Sequence, residues 1–285
     1  MIIGGSKKEV IKNIRKNIAE GELNRKVEVN DAVFTAEDSE AAIKRFFDNK
    51  ARLRGAVKQG AAQAGAKAGL RYFNRSIKIE GRENLKGLDL SHGAIITSNH
   101  FNPLDSFNAR KVVEKVLKRK MYIVIQDTNL AMPGFFGFLM NNSRMIPLSK
   151  SPKYINQKFL PELKRVLGRG AVVLIYPEEE MWFNYRKPRP SKRGAFYFAA
   201  EMKVPVIPCF VEIQDLGVED NDEFNKTATI VHILEPIEAE PELSVKRNSI
   251  AMAEKDYEMK KAKYEEVYGE KLDYKFKKSD IAGLR

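Results

Sequence analysis

His100 and Asp105 stand five positions apart in the stretch "NHFNPLD", directly after the apolar run "GAIITSN". An unperturbed histidine pKa near ~6.5 suits the ring to take up and return a proton near neutral pH. A neighbouring aspartate would fix its tautomer, leave the other ring nitrogen as acceptor and stabilise the imidazolium that forms. Asn102 can cap a helix and Pro103 can take its first position, which would place Asp105 in a first turn whose positive end favours a carboxylate. Taken alone, the pair is also open to a plainer reading, as short polar residues at a strand-to-helix corner.

Other chemistry is sparse. His92 lies in the turn "LDLSHGA", and His232 lies inside "TIVHIL" as a satisfied sheet histidine. Cys209, the sole cysteine, sits in "VIPCFV" and reads as an inert core thiol, so neither an internal disulfide nor a cysteine-based zinc cluster is available. There is no Gly-x-Ser-x-Gly elbow, no metal-ligand spacing and no phosphate-binding glycine loop. A base without a protein nucleophile points to activation of a substrate hydroxyl. Arg144 opens "SRMIPL" after the apolar "MPGFFGFLMNN", where it would suit an anionic head group with an acyl tail or be a plain surface arginine. "LIYPEEEMW" places Glu178, Glu179 and Glu180 at a strand end, to cap, pair or be solvated.

These residues need a scaffold that collects strand ends. Seven short apolar runs, "SIKIEG", "GAIITSN", "MYIVIQD", "SRMIPL", "AVVLIYP", "VPVIPCFVEI" and "TATIVHIL", alternate with amphipathic stretches. In "NQKFLPELKRVLGRG" the residues Phe159, Leu163, Val166 and Leu167 make one buried face, closed by Gly168 as C-terminal cap. The expected fold is α/β, a single domain over residues 77–236 with a mostly parallel or mixed central sheet flanked by helices. Residues 1–76 form a basic, helical N-terminal segment, either a hairpin packed through Ala and Gly or a surface-seeking element. Residues 237–285 form a charged C-terminal helical tail, with Tyr257, Tyr264 and Tyr268 near one side of a solvated helix.

The totals set limits on partners. With 43% hydrophobic and 31% charged residues, the chain is too apolar for disorder and too polar for an integral membrane protein. No apolar stretch reaches the roughly 20 residues needed to cross a bilayer, and the start shows no signal-peptide core, so the cytoplasm is the expectation. A net charge of +12 implies an anionic partner, and acid-free runs from Asn49 to Ile79 and from Trp182 to Arg193 concentrate the basic residues. The second run lacks a nucleic-acid-binding motif, and its aromatics Trp182, Phe183 and Tyr185 suit dipping into lipid equally well.

Four segments in fixed order resemble the glycerolipid acyltransferase family that includes lysophosphatidic acid acyltransferases. "NHFNPLD" is similar to its His-x4-Asp block, Arg144 in "NNSRMIPL" falls at its second block, "YPEEEMW" resembles the aromatic-Pro-Glu start of its third and "VPVIPC" its fourth. "KRGAFYFAAEMKVPVIP" resembles the stretch between the last two, with Lys192 and Gly194 in place. The resemblance implies that His100, oriented by Asp105, deprotonates an acceptor hydroxyl that attacks an acyl thioester. It implies that Arg144 and Glu178 bind the acceptor on a membrane face that the protein does not span, and Asn99, Lys192, Gly194 and Arg186 complete the expected substrate-binding set. Where the family continues Gly-Thr-Arg-Ser, this chain has Glu179, Glu180, Met181 and Trp182, and phosphate would then fall to Arg186, Lys187, Arg189 or Lys192.

The function implied is a lipid O-acyltransferase that needs no cofactor or metal. Its donor would be an acyl thioester of acyl-carrier protein or coenzyme A, and its acceptor a lysophospholipid or related glycerolipid, with 1-acyl-glycerol-3-phosphate the default. It would sit on the anionic inner face of the cell membrane, and nucleic acid is not expected as a partner. The alternatives are a noncatalytic module that binds anionic lipid and an acyl thioester hydrolase.

Overall fold

Short β-branched and aliphatic runs pair into one sheet because the central ones are apolar on both faces and helices cover both sides. The computed structural model describes residues 6–29, 32–73 and 75–285; residues 1–5, 30, 31 and 74, parts of the expected N-terminal segment, lie outside the described residues. The strands are β1 (Ile77–Glu80), β2 (Ala94–Thr97), β3 (Met121–Gln126), β4 (Met145–Leu148), β5 (Val172–Ile175), β6 (Val206–Glu219) and β7 (Asn225–Ile233). Their order is β1-β7-β6-β2-β5-β3-β4. Every neighbouring pair is parallel except β6 and β7, which run antiparallel. The sheet is therefore mixed, and β2 lies between β5 and β6 with Ile96 opposite Leu174 and Ile207.

Alternate residues of each strand feed two cores, as the period-2 pleat requires. Ile96, Leu174 and Ile123 pack with Ile43 and Phe46 of α2 (Ala36–Ala51) and with Val112 and Val113, which continue α4 (Ser106–Lys111) as a π turn. On the other face Ile95, Val173 and Ile146 meet α7 (Leu160–Leu167), α8 (Gly194–Met202) and α9 (Val245–Tyr268). Phe159, Leu163, Val166 and Leu167 are all buried there, as their spacing predicts. The left-handed turn that ends α7 falls at Gly170 (φ +70°), whereas Gly168 remains helical. A short α6 (Pro152–Tyr154) leads through a π turn into α7.

The N-terminal segment gives α1 (Lys8–Ala19), α2 and α3 (Leu53–Phe73). The two expected readings of α3 are two faces of one helix. Ala62, Ala66 and Leu70 are buried, and a Cβ added at Gly69 would lie 2.6 Å from the Phe107 ring, so the small residues permit close packing. Val57 and Tyr72 are about three-quarters exposed, among exposed Arg54, Lys58, Lys67 and Arg71. α5 (Gly134–Asn142) packs beside α3. No helix among the described residues is long and apolar enough to cross a membrane.

The charged tail is not merely solvated. α9 buries Asp256 and Lys260 as an ion pair of 2.8 Å beneath the end of β2, where Asp256 also accepts hydrogen bonds from Thr97 Oγ1 and Ser191 Oγ, both at 2.6 Å. Tyr264 is buried against Phe210, and Tyr268 donates to the Ile213 carbonyl at 3.3 Å.

Candidate active site

The ends of β2 and β5 carry the reactive groups. The chain leaves β2 at Thr97, and the Asn102 side chain accepts the Leu104 N–H at 3.0 Å, which starts a turn. That turn delays the helix: α4 begins at Ser106, so Asp105 precedes the first helical turn instead of lying within it. Its carboxylate is held by local backbone, with Oδ2 accepting the N–H groups of Phe101 (2.8 Å) and Asn102 (3.2 Å).

His100 Nδ1 lies 2.8 Å from Asp105 Oδ2. The aspartate is buried and the histidine side chain is 21% exposed, so an ionised carboxylate faces a ring that solvent and substrate can reach. Nδ1 donates in that bond, which leaves Nε2 as the basic nitrogen. On the other side of Asp105, Oδ1 accepts the Tyr176 hydroxyl at 2.5 Å, and the Tyr176 ring stacks on His100 with centroids 3.9 Å apart. Burial and the Asp105 charge push the Tyr176 phenol well above its usual range, so it stays a proton donor.

The turn that leaves β5 is a clamp on the His100 backbone. Glu178 Oε2 accepts the His100 N–H at 3.2 Å, while the His100 carbonyl accepts the N–H of Trp182 at 3.0 Å, and Asn184 donates to the Phe101 carbonyl at 2.7 Å. Glu178 is buried against Arg189, and burial pulls the Arg189 guanidinium below its usual range with the Glu178 charge opposing it. Trp182, Phe183 and Tyr185, expected to suit lipid, are buried in a satellite core with Val10 and Ile14 of α1 and with Ile281. Glu179 holds a left-handed backbone (φ +64°), a conformation that favours glycine.

A cavity of about 1780 Å³ opens beside His100 and Asp105. Its apolar walls come from α2 (Ile43, Phe47), α4 (Phe107) and α5 (Phe136, Leu139, Met140). Lys192, Gly194, Glu179 and Glu180 line it near the histidine.

Four expected substrate-binding residues are placed elsewhere. Asn99 is buried and pairs with the Val211 backbone in both directions (3.0 and 2.8 Å), tying the end of β2 to β6. Glu178 is enclosed as described. Arg186 pairs with Asp215 at 2.7 Å and donates to the Ser279 carbonyl at 2.9 Å, and none of Asn99, Glu178, Arg186 and Arg144 lines the cavity. Arg144 precedes β4 and is not among the lining residues, although its neighbours Ser143 and Met145 are. Lys150, just past the other end of β4, lines the cavity and was not singled out from the sequence. Lys187 and Arg189, considered for phosphate, are both buried, Lys187 at 3.2 Å from Asp273 and 3.0 Å from Asp280.

Fold and site together define an α/β protein with a histidine-aspartate pair at the strand ends, facing a large apolar cavity. The acyltransferase family model matches residues 76–212 of this chain. The chain is 28% identical over 130 residues to the chloroplastic 1-acyl-sn-glycerol-3-phosphate acyltransferase BAT2 of Brassica napus, covering 46% of this chain and 35% of that one. It is 26% identical over 167 residues to the 1-acyl-sn-glycerol-3-phosphate acyltransferase of Saccharomyces cerevisiae, covering 58% and 52%. The chain thus spans about half or less of the length of these curated relatives. The crystal structure of the 1-acyl-sn-glycerophosphate acyltransferase PlsC from Thermotoga maritima superposes with a TM-score of 0.48 at 19% identity, covering 82% of this chain and 90% of that one.

Proposed function

We propose that the chain transfers an acyl group from an acyl thioester of coenzyme A or acyl-carrier protein to the hydroxyl of a lysophospholipid or related glycerolipid. 1-Acyl-glycerol-3-phosphate is the default acceptor, being the substrate in the names of the matched relatives. The observation that carries this reading is the His100–Asp105 pair, 2.8 Å apart, at the edge of an apolar cavity of about 1780 Å³. Pockets for small ligands commonly occupy about 300–1,000 Å³, so this one has room for a lipid chain together with a second substrate.

In this mechanism His100 Nε2 removes the acceptor hydroxyl proton as the oxygen attacks the thioester carbonyl. The new C–O bond forms, the C–S bond breaks, and the imidazolium returns its proton to the departing thiolate. Asp105 keeps the proton on Nδ1 and stabilises the imidazolium between the two steps. Lys150, Lys153 and Lys192, exposed at the cavity with Lys44 and Lys158, are among the cations available to a head-group phosphate in place of Arg144 and Arg186.

Exposed Val57, Tyr72 and Phe135 on α3 and α5, with the surrounding basic residues, support seating on an anionic membrane face, taken as the inner face of the cell membrane. The test supplies purified protein with labelled acyl thioester and a panel of lysolipids and glycerolipids. Label appears in a lipid product if the reading holds. No transfer to any acceptor, or label released only as free acid at a rate that ignores the acceptor, contradicts it.

A further inference from the structure

The carboxylate of Asp105 receives donors on both oxygens. Oδ2 takes His100 Nδ1–H and the N–H groups of Phe101 and Asn102, while among the described residues Oδ1 takes the Tyr176 hydroxyl alone. An ionised carboxylate offers about four acceptor sites, so this one is fully engaged. Tyr176 also lies nearly parallel to the imidazole, 13° between planes at 3.9 Å between centroids. One side chain therefore touches both members of the dyad, by its hydroxyl and by its ring face.

The position follows from the chain path. Tyr176 is the first residue after β5, parallel to and paired with β2, whose end carries His100. Pro177 follows, and Glu178 reaches back to the His100 N–H. The turn that leaves β5 thus contacts His100 on its ring and on its backbone.

We propose that Tyr176 is a positioning residue of the general base: its ring fixes the plane of the His100 imidazole, and its hydroxyl fixes the Asp105 carboxylate and draws part of its charge away from Nδ1. The inference rests on the acyltransferase reading of the site. A carboxylate released at Oδ1 is held through Oδ2 alone, and the charge no longer shared with the phenol is available to the imidazolium. Removing the hydroxyl therefore raises the pH at which His100 loses its proton and disorders the partner that aims it. The other charged groups facing the histidine are Glu178 on its N–H and Arg189 on its carbonyl (3.4 Å), with Glu179, Glu180 and Lys192 along the cavity wall. Substitution of Tyr176 by phenylalanine alters none of them.

Tyr176→Phe keeps the stacked ring and removes only the donor. The acid limb of its kcat/KM profile is expected to move up by about half a unit. Its kcat should fall roughly three- to tenfold with the donor KM unchanged. Tyr176→Leu, which removes the stack as well, should lower kcat further.

The chain has three histidines, so NMR titration of labelled His92, His100 and His232 reads the same effect without catalysis. In Tyr176→Phe the His100 midpoint should rise while the other two stay fixed, and in an Asp105→Asn background the same change should leave His100 where it is. An unmoved His100 midpoint and an unmoved acid limb overturn the inference, as does an equal shift when Asp105 is already Asn. A wild-type protein that transfers no acyl group, or a His100→Ala protein that transfers it normally, contradicts the acyltransferase reading instead, and the titration still reports on Tyr176.

Discussion

Arg189 lies across Glu178 as a buried ion pair, with Nη2 at 2.8 Å and Nε at 3.1 Å from Oε2, and with its own backbone N–H on Oε1 at 2.9 Å. The acid that aligns with the family's third block is thereby enclosed and used to hold the His100 N–H. Glu178→Gln keeps the shape and removes the charge, leaving a buried guanidinium without its counter-ion at a cost of about 3 kcal/mol. Thermal unfolding should show a drop of roughly 6–12 °C, by the scaling for large domains. An unchanged unfolding temperature with a raised acceptor KM would instead return Glu178 to the acceptor.

In the proposed function, the apolar wall of α5 limits how much acyl chain the cavity holds. Leu139→Trp fills part of it, and each methylene that can no longer be buried forfeits about 0.8 kcal/mol. Exclusion of two methylenes should cost long-chain donors about tenfold in kcat/KM relative to short ones. A series of acyl thioesters of increasing length measures this, and an unaltered chain-length profile contradicts the assignment of that wall.

Lys50, in the last turn of α2, donates to the Met145 carbonyl at 3.1 Å and lies 4.1 Å from the Phe46 ring centre. Burial pulls its ammonium from 10.5 down to about 8. Below pH 8 both folded and unfolded chains carry the charge, and the folded one bears the cost of burying it. Between about 8 and 10.5 the unfolded chain binds more protons, so this residue's contribution to stability rises with pH. Lys50→Met should stabilise the fold at pH 7 by up to about 3 kcal/mol, with the gain shrinking as pH approaches 10.5. Unfolding of the two proteins at pH 7 and at pH 9.5 measures that difference.

Cys209 is 1% exposed in β6, and burial pushes its thiol up to about 12. Ellman's reagent should leave it unmodified in the native protein and titrate one thiol after denaturation. Fast native labelling would contradict the packing of β6 against β2.

Much of this could be read from residue order. Five strands lie within the apolar runs that announce them, because a buried parallel strand needs a continuous apolar stretch, whereas β6 runs on to Glu219 and β7 starts at Asn225, outside theirs. His100 and Asp105 were legible because strand end, turn and acid are neighbours in sequence. What was not legible depends on distant partners. Trp182 faces α1 and the Arg25 carbonyl, and Arg189 donates to the Leu23 carbonyl, both more than 150 positions away. The tail helix looked solvated because Asp256 and Lys260 are charged, and their burial rests on Thr97 and Ser191 from elsewhere in the chain. Arg144 and Lys150 flank the same strand, and only the folded chain shows that Lys150 lines the cavity and Arg144 does not. Tyr176 carried one visible sign, an aromatic before Pro-Glu, and its contact with Asp105 exists only once β5 lies beside β2.

In the proposed function His100, aimed by Asp105, moves an acyl group onto a lipid hydroxyl. Mass spectrometry of products after mixing acyl thioester, a total lipid extract and either wild-type or His100→Ala protein tests it most directly. Wild-type protein should yield a lipid heavier by one acyl chain, and its yield in the initial-rate regime should fall about 10²- to 10⁴-fold in the variant. No new lipid with wild-type protein, or the same yield from both, contradicts it.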